Sequence, residues 1–134
     1  ELVDVTGTPF DFRTMKAVGD DISADDVQLG YGQGYDHNYA LDDFDGTVKK
    51  VASLEEPTTG RKMDVYTDQP GLQFYAGNCI KPETGKGGAS YGARSGLCLE
   101  TQCFPNAINQ PGFQDVVYGP DRPYKTTTIY RFYN

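Results

Sequence analysis

Three properties of this chain predict an all-β fold. Strand-length runs rich in β-branched and aromatic residues alternate with turn residues along most of the sequence. Glycine (16), tyrosine (10) and phenylalanine (7) are plentiful. Sustained apolar spacing at three and four residues, the mark of a long helix, is absent. Short strands separated by turn signals point to an antiparallel sandwich or barrel. At 134 residues the chain suits one domain and is too short for two comfortable ones.

Taken in order, Ser23–Leu29 reads as a short helical turn, with Ser23 as its N-cap and Asp26 three residues on. The strand-like runs are Tyr35–Leu41, Thr47–Leu54, Arg61–Thr67, Leu72–Gly77, Leu97–Gln102 and Lys125–Tyr133. Asp45-Gly46, between the first two, has the composition of a tight hairpin turn. A strand turns successive side chains to opposite faces. Gln73 and Tyr75 therefore share one face and Leu72 and Phe74 the other. By the same rule Cys98, Glu100 and Gln102 oppose Leu97, Leu99 and Thr101. Residues 79–95, rich in Gly, Lys and Ser, form a long exposed loop.

Charge excludes some functions. The net charge is −7, with acidic residues crowded at Asp20–Asp21, Asp25–Asp26 and Asp42–Asp45. Nucleic acid is an unsuitable partner, because its binding rests on basic residues at phosphates. No apolar window approaches the length of a membrane span. Cys79, Cys98 and Cys103 fit no zinc spacing and cannot all pair within one chain. They are expected to be reduced, partly buried thiols of a cytoplasmic protein. Glu1-Leu-Val-Asp-Val has neither an initiator Met nor a signal-peptide pattern, so a mature or truncated start is expected.

Several motif-like stretches fail on inspection. Asp42-Asp-Phe-Asp-Gly lacks the alternating ligands and distal Glu of a calcium loop, since Ala52 stands at the decisive spacing. Gly85-Lys-Gly-Gly lacks the full phosphate-loop spacing and its following helix. Ser95, in Ala-Arg-Ser-Gly-Leu, is not on a nucleophile elbow. His37, the single histidine, would face away from its neighbour Asp36. It is better read as a structural histidine than as a general acid or a ligand.

Three polar residues remain, each set among aromatic or apolar neighbours: Asp36, Gln73 and Glu100. Glu100 interrupts the otherwise uncharged run Gly96-Leu-Cys-Leu-Glu-Thr-Gln. A buried charge there would need a partner or a task, whereas a strand with one wet face would need neither. Carboxylates, an amide and aromatic rings on one face would suit a sugar, whose hydroxyls need donors and acceptors and whose C–H face packs on rings.

These motifs together resemble the aldose 1-epimerase (galactose mutarotase) family. The resemblance is carried by Gly34-Tyr-Asp-His-Asn-Tyr, Thr67-Asp-Gln-Pro-Gly-Leu-Gln-Phe-Tyr-Ala-Gly-Asn, Gly96-Leu-Cys-Leu-Glu-Thr-Gln and Phe104-Pro-Asn-Ala-Ile-Asn-Gln-Pro. Thr-Ile-Tyr-Arg-Phe at 128–132 and Gly7-Thr-Pro-Phe-Asp-Phe-Arg extend it over essentially the whole chain. It implies part of a large antiparallel β-sandwich, the mutarotase-like supersandwich, with residues 1–134 as the C-terminal half and the N-terminal half absent. It also implies interconversion of the α and β anomers of aldohexoses such as galactose or glucose, without cofactor or metal. In that reading Glu100 is the general base at the C1 hydroxyl, and Asp36 and Gln73 are sugar contacts. The family's acid is a histidine of the other half, and His37 does not match it. The chain alone is therefore expected to be weakly active or inactive. Its expected partners are an aldohexose and either a chain carrying the other half or a second copy. A non-catalytic sugar-binding module is the alternative. A glycoside hydrolase using Asp36 and Glu100 ranks after it.

Overall fold

The computed structural model describes all 134 residues, Glu1–Asn134. It is an all-β, sandwich-like structure, as expected. The strands are β1 (Asp36–Ala40), β2 (Lys49–Glu56), β3 (Arg61–Thr67), β4 (Gly71–Tyr75), β5 (Glu83–Thr84), β6 (Ser90–Tyr91), β7 (Cys98–Gln102) and β8 (Thr128–Tyr133). One α-helix, α1 (Val27–Gly32), precedes them. One three-stranded sheet runs β1-β4-β7 and another β2-β3-β8, while β5 and β6 make a small hairpin. The chain divides into a first unit, residues 1–37 and 74–98, and a second, 38–73 and 99–134.

The first unit is built around rings. Tyr35 is fully buried and stacks on Phe74 at 5.2 Å, 20° from parallel. Phe12 meets both of them edge-on, at 5.1 and 5.6 Å. Edge and offset contacts of this kind add to the area that such rings bury. Even here the phenol finds a partner, donating to the Pro9 carbonyl at 2.9 Å. Ile22, Leu29 and Ala76 complete the core. Helix α1 is capped by Asp26, whose carboxylate accepts from the amides of Gln28 and Leu29. Ser23 is therefore not the cap; Asp26 holds the extended entry conformation that an N-cap needs, one residue before the helix.

The buried side of Gly34 shows why glycine stands there. Its φ of +130° suits few other residues, and a Cβ would lie 2.4 Å from Asn78 Oδ1. Asn78 uses that proximity, donating to the carbonyls of Gly32 and Tyr35 at 3.0 and 2.9 Å.

In the second unit β3 is the central strand, antiparallel to β2 and to β8. Val65 in its middle is fully buried. The register slips between Lys50 and Ala52, a bulge that leaves Val51 without an opposite residue. β2 and β3 join through a tight turn in which the Glu56 carboxylate accepts from the amides of Thr58 and Thr59, each at 2.8 Å. That turn, not Asp45-Gly46, is the hairpin. Asp45 accepts from the Thr47 amide at 2.9 Å and does make a turn. It connects β1 to β2, however, which lie in different sheets. Residues 79–95 are mostly exposed, as expected for a loop, and carry the β5–β6 hairpin.

The cysteines differ from expectation in exposure. All three are free thiols, but Cys79 and Cys98 are exposed and only Cys103 is half-buried. Cys98 stands on the open face of β7, where alternation leaves it uncovered. No helix is long and apolar enough to cross a membrane.

Candidate functional site

In the second unit a row of amides crosses three strands of one sheet. Gln102, at the end of β7, donates from Nε2 to Asn38 Oδ1 at 3.0 Å and to Gln73 Oε1 at 3.4 Å. Asn38 belongs to β1 and Gln73 to β4, the strand between β1 and β7. Gly71 makes the row possible, because a Cβ there would stand 2.6 Å from Asn38 Oδ1 and 3.0 Å from the Gln102 carbonyl. Period two puts Gln73 on the face opposite Leu72, which is buried in the core. An apolar side thus anchors the strand while its polar side stays accessible.

Glu100 lies two residues before Gln102 on the same face of β7 and is exposed. No hydrogen bond or ion pair within the chain holds its carboxylate. Its exposure answers the question raised by its apolar neighbours, since the charge is not buried and no desolvation has to be compensated. The strand beneath it is held firmly. On the opposite face the hydroxyls of Thr101 and Thr128 hydrogen-bond, and the Tyr130 hydroxyl donates to the Leu99 carbonyl at 2.7 Å. A fixed strand thus carries an open, charged acceptor beside oriented amides, which matches what polyhydroxyl recognition requires.

Asp36 and His37 are placed in the first unit. Asp36 opens β1 and is exposed. His37 is half-buried, its ring edge-on to Phe10 at 4.7 Å, and its Nδ1 accepts from the Asp36 amide at 3.0 Å. Burial pulls its pKa below the ordinary 6.5, against the opposing charge of Asp36 and a hydrogen bond with the Gln28 backbone. A neutral imidazole packed on a ring and tied to backbone is a structural component. No group of three His, Cys, Asp or Glu side chains is close enough to hold a metal ion.

Set against known proteins, residues 1–131 match the family model described as aldose 1-epimerase. The chain belongs to the aldose 1-epimerase family. It is 40% identical over 135 residues to the galactose mutarotase of Bos taurus, covering 98% of this chain and 37% of that protein. The human galactose mutarotase is 41% identical over 135 residues, with the same coverage. The aldose 1-epimerase of Escherichia coli K12 is 36% identical over 134 residues, covering 98% of this chain and 38% of that protein. The chain therefore spans less than two-fifths of the length of these relatives.

Of the residues singled out from the sequence, this family member brings Gln73 and Glu100 into its second unit, with Gln102 bonded to Gln73. Asp36 lies in the first unit. Two members of the polar row, Asn38 and Gln102, were not recognised from sequence. Both stand inside the motifs that were quoted, and Gln102 shares a strand face with Glu100, which is the signal that would have found it.

Proposed function

We propose that this chain is the C-terminal part of an aldose 1-epimerase acting on aldohexoses such as galactose or glucose, and that Glu100 is its general base. The observation that carries the reading is the uncommitted carboxylate of Glu100 on the same strand face as Gln102, whose amide bonds to Gln73. The family membership and the names of the relatives support the reaction class. Glu100 takes the proton of the anomeric C1 hydroxyl while an acid protonates the ring oxygen. The C1–O5 bond breaks, the resulting aldehyde rotates about C1–C2, and the reverse steps close the other anomer. All atoms of the sugar are conserved, so proton transfer alone accomplishes the change. Gln73 holds a hydroxyl so that C1 stays within reach of Glu100, and Asp36 is a further sugar contact.

The acid is assigned to the part of the family fold outside these 134 residues, because the one histidine here is occupied structurally. Alone, the chain is then a sugar binder with little or no turnover. Two exposed free thiols fit a reducing compartment such as the cytoplasm. The test is polarimetric decay of α-D-galactose with the chain joined to the remaining family length. Glu100→Gln is expected to lower kcat by roughly a hundredfold or more while leaving KM within a few-fold. Near-normal turnover by that variant would sink the assignment of Glu100.

A further inference from the structure

We infer that Tyr130 and Thr128 of β8 are positioning residues that set the direction of the Glu100 side chain from behind its strand. The inference rests on the reading of Glu100 as general base and extends it to the residues that aim it. The Glu100 carboxylate is exposed and held by no partner within the chain, so its backbone does the aiming. The planar peptide groups on either side of a Cα fix where its Cα–Cβ bond points. A general base must also meet its proton within hydrogen-bond reach. The peptide groups around Glu100 are therefore part of its working geometry.

Both residues flanking Glu100 are fastened to β8. The Tyr130 hydroxyl donates to the Leu99 carbonyl at 2.7 Å, and that carbonyl shares its peptide group with the Glu100 amide. On the other side the Thr101 hydroxyl is hydrogen-bonded with the Thr128 hydroxyl. β7 is the outer strand of its sheet, with β4 on one side only. An outer strand has ladder bonds along one edge, so its peptide planes turn more easily than those of a central strand. The two contacts from the second sheet supply restraint that a second neighbouring strand would otherwise give.

β8 is itself firmly placed. Tyr130 stands opposite Val65 and Thr128 opposite Thr67 in its register with β3, and both of those β3 residues are fully buried. The start of β8 is pinned as well, since the Asp68 carboxylate accepts from the Thr126 hydroxyl and the Thr127 amide. Buried β3 thus fixes β8, and β8 fixes the two neighbours of Glu100. Period two puts Thr128 and Tyr130 on one face of β8, and Leu99 and Thr101 on one face of β7, so the two bonds run side by side. The Tyr130 side chain is exposed, which leaves its hydroxyl rather than its ring as the informative group.

Tyr130→Phe removes the donor and keeps the ring. In the chain joined to the remaining family length, kcat for galactose mutarotation should fall about tenfold while KM stays within about twofold, because a misaimed base slows proton transfer and leaves the hydroxyl contacts in place. Thr128→Val should lower kcat about threefold, and Thr128→Ser, which keeps the hydroxyl, should restore it. The decisive measurement is a double-mutant cycle with Glu100→Gln. A residue that acts through Glu100 has nothing left to aim in that background, so adding Tyr130→Phe there should lower the residual turnover by less than about twofold. Equal losses in both backgrounds would mean that Tyr130 serves the fold in general, and would overturn the inference. Unchanged kcat in Tyr130→Phe, or a raised KM with kcat retained, would overturn it too, and in each case the Glu100 assignment stands. Full activity of Glu100→Gln instead removes the site reading and both positioning roles with it. Should Tyr130→Phe not fold, the same cycle is run with Thr128→Val, where an unchanged kcat overturns the proposal on its own.

Discussion

The two units of this chain both contain ring contacts and side-chain hydrogen bonds, but differ in which is most prominent at the centre. The first is organised by rings, with Tyr35 and Phe74 stacked and Phe12 standing edge-on to both. The second is laced by side-chain hydrogen bonds. Ser53 donates to Asp64 at 2.7 Å, Gln69 to Thr126 at 2.6 Å, and Gln102 to Asn38 and Gln73. Ring packing is largely non-directional and gains stability from buried area. Hydrogen bonds contribute little net energy each but are demanding in direction. The contrast bears on the amides of the second unit: directed contacts define where a side chain's polar atoms point, and apolar packing defines only where its bulk sits.

The sharpest way to break the comparison is Tyr35→Ala. Removing a fully buried ring from the first unit should cost about 3–5 kcal/mol, read from denaturant unfolding. A loss under about 1 kcal/mol would show that the rings are not what holds that unit together.

Gly71→Ala tests the second unit. One methyl forces the Asn38 amide away from its bond with Gln102, at a cost of about 1–3 kcal/mol for overpacking. If direction matters there more than bulk, sugar affinity should fall further than stability alone explains. Equal affinity in the variant and the parent would show that the row does not orient the binding groups.

The smallest effect concerns His37. Its folded pKa lies below the ordinary 6.5, so the unfolded chain binds the proton more readily. Stability from the neutral ring is full above about pH 6.5 and is lost as the pH falls below that value. Melting temperature should therefore drop on mild acidification, and His37→Phe should flatten the slope between about pH 7 and pH 5. An unchanged slope would mean that other groups set the acid sensitivity. Asp45 and Glu56, both held near about 2 by hydrogen bonds in their turns, contribute only as the pH falls from the usual carboxylate range towards that value.

Much of the strand pattern was legible because period two is a local property. The run Arg61–Thr67 is β3 to the residue, and Leu72 and Phe74 are buried opposite Gln73 as alternation required. Turn chemistry was legible only in part. Asp45-Gly46 does turn the chain, yet which strands pair across a turn depends on distant partners. The Ser23 cap failed for a related reason, since Ser23 and Asp26 are both able N-caps and packing of α1 through Leu29 selected the later one.

By itself the sequence determined the all-β class, the approximate strands and the family, since each follows from local alternation or from short ordered motifs. It also presented Glu100, Gln73 and Asp36 as residues out of keeping with their neighbours. Only the tertiary structure decided that Glu100 is open to solvent, that His37 is packed on Phe10, and that Gln102 unites Asn38 and Gln73. Those contacts join residues as far apart as 64 positions, across strands that are not consecutive in the chain. Strand order sets them, and strand order is a balance of burial over the whole sheet that no local window contains.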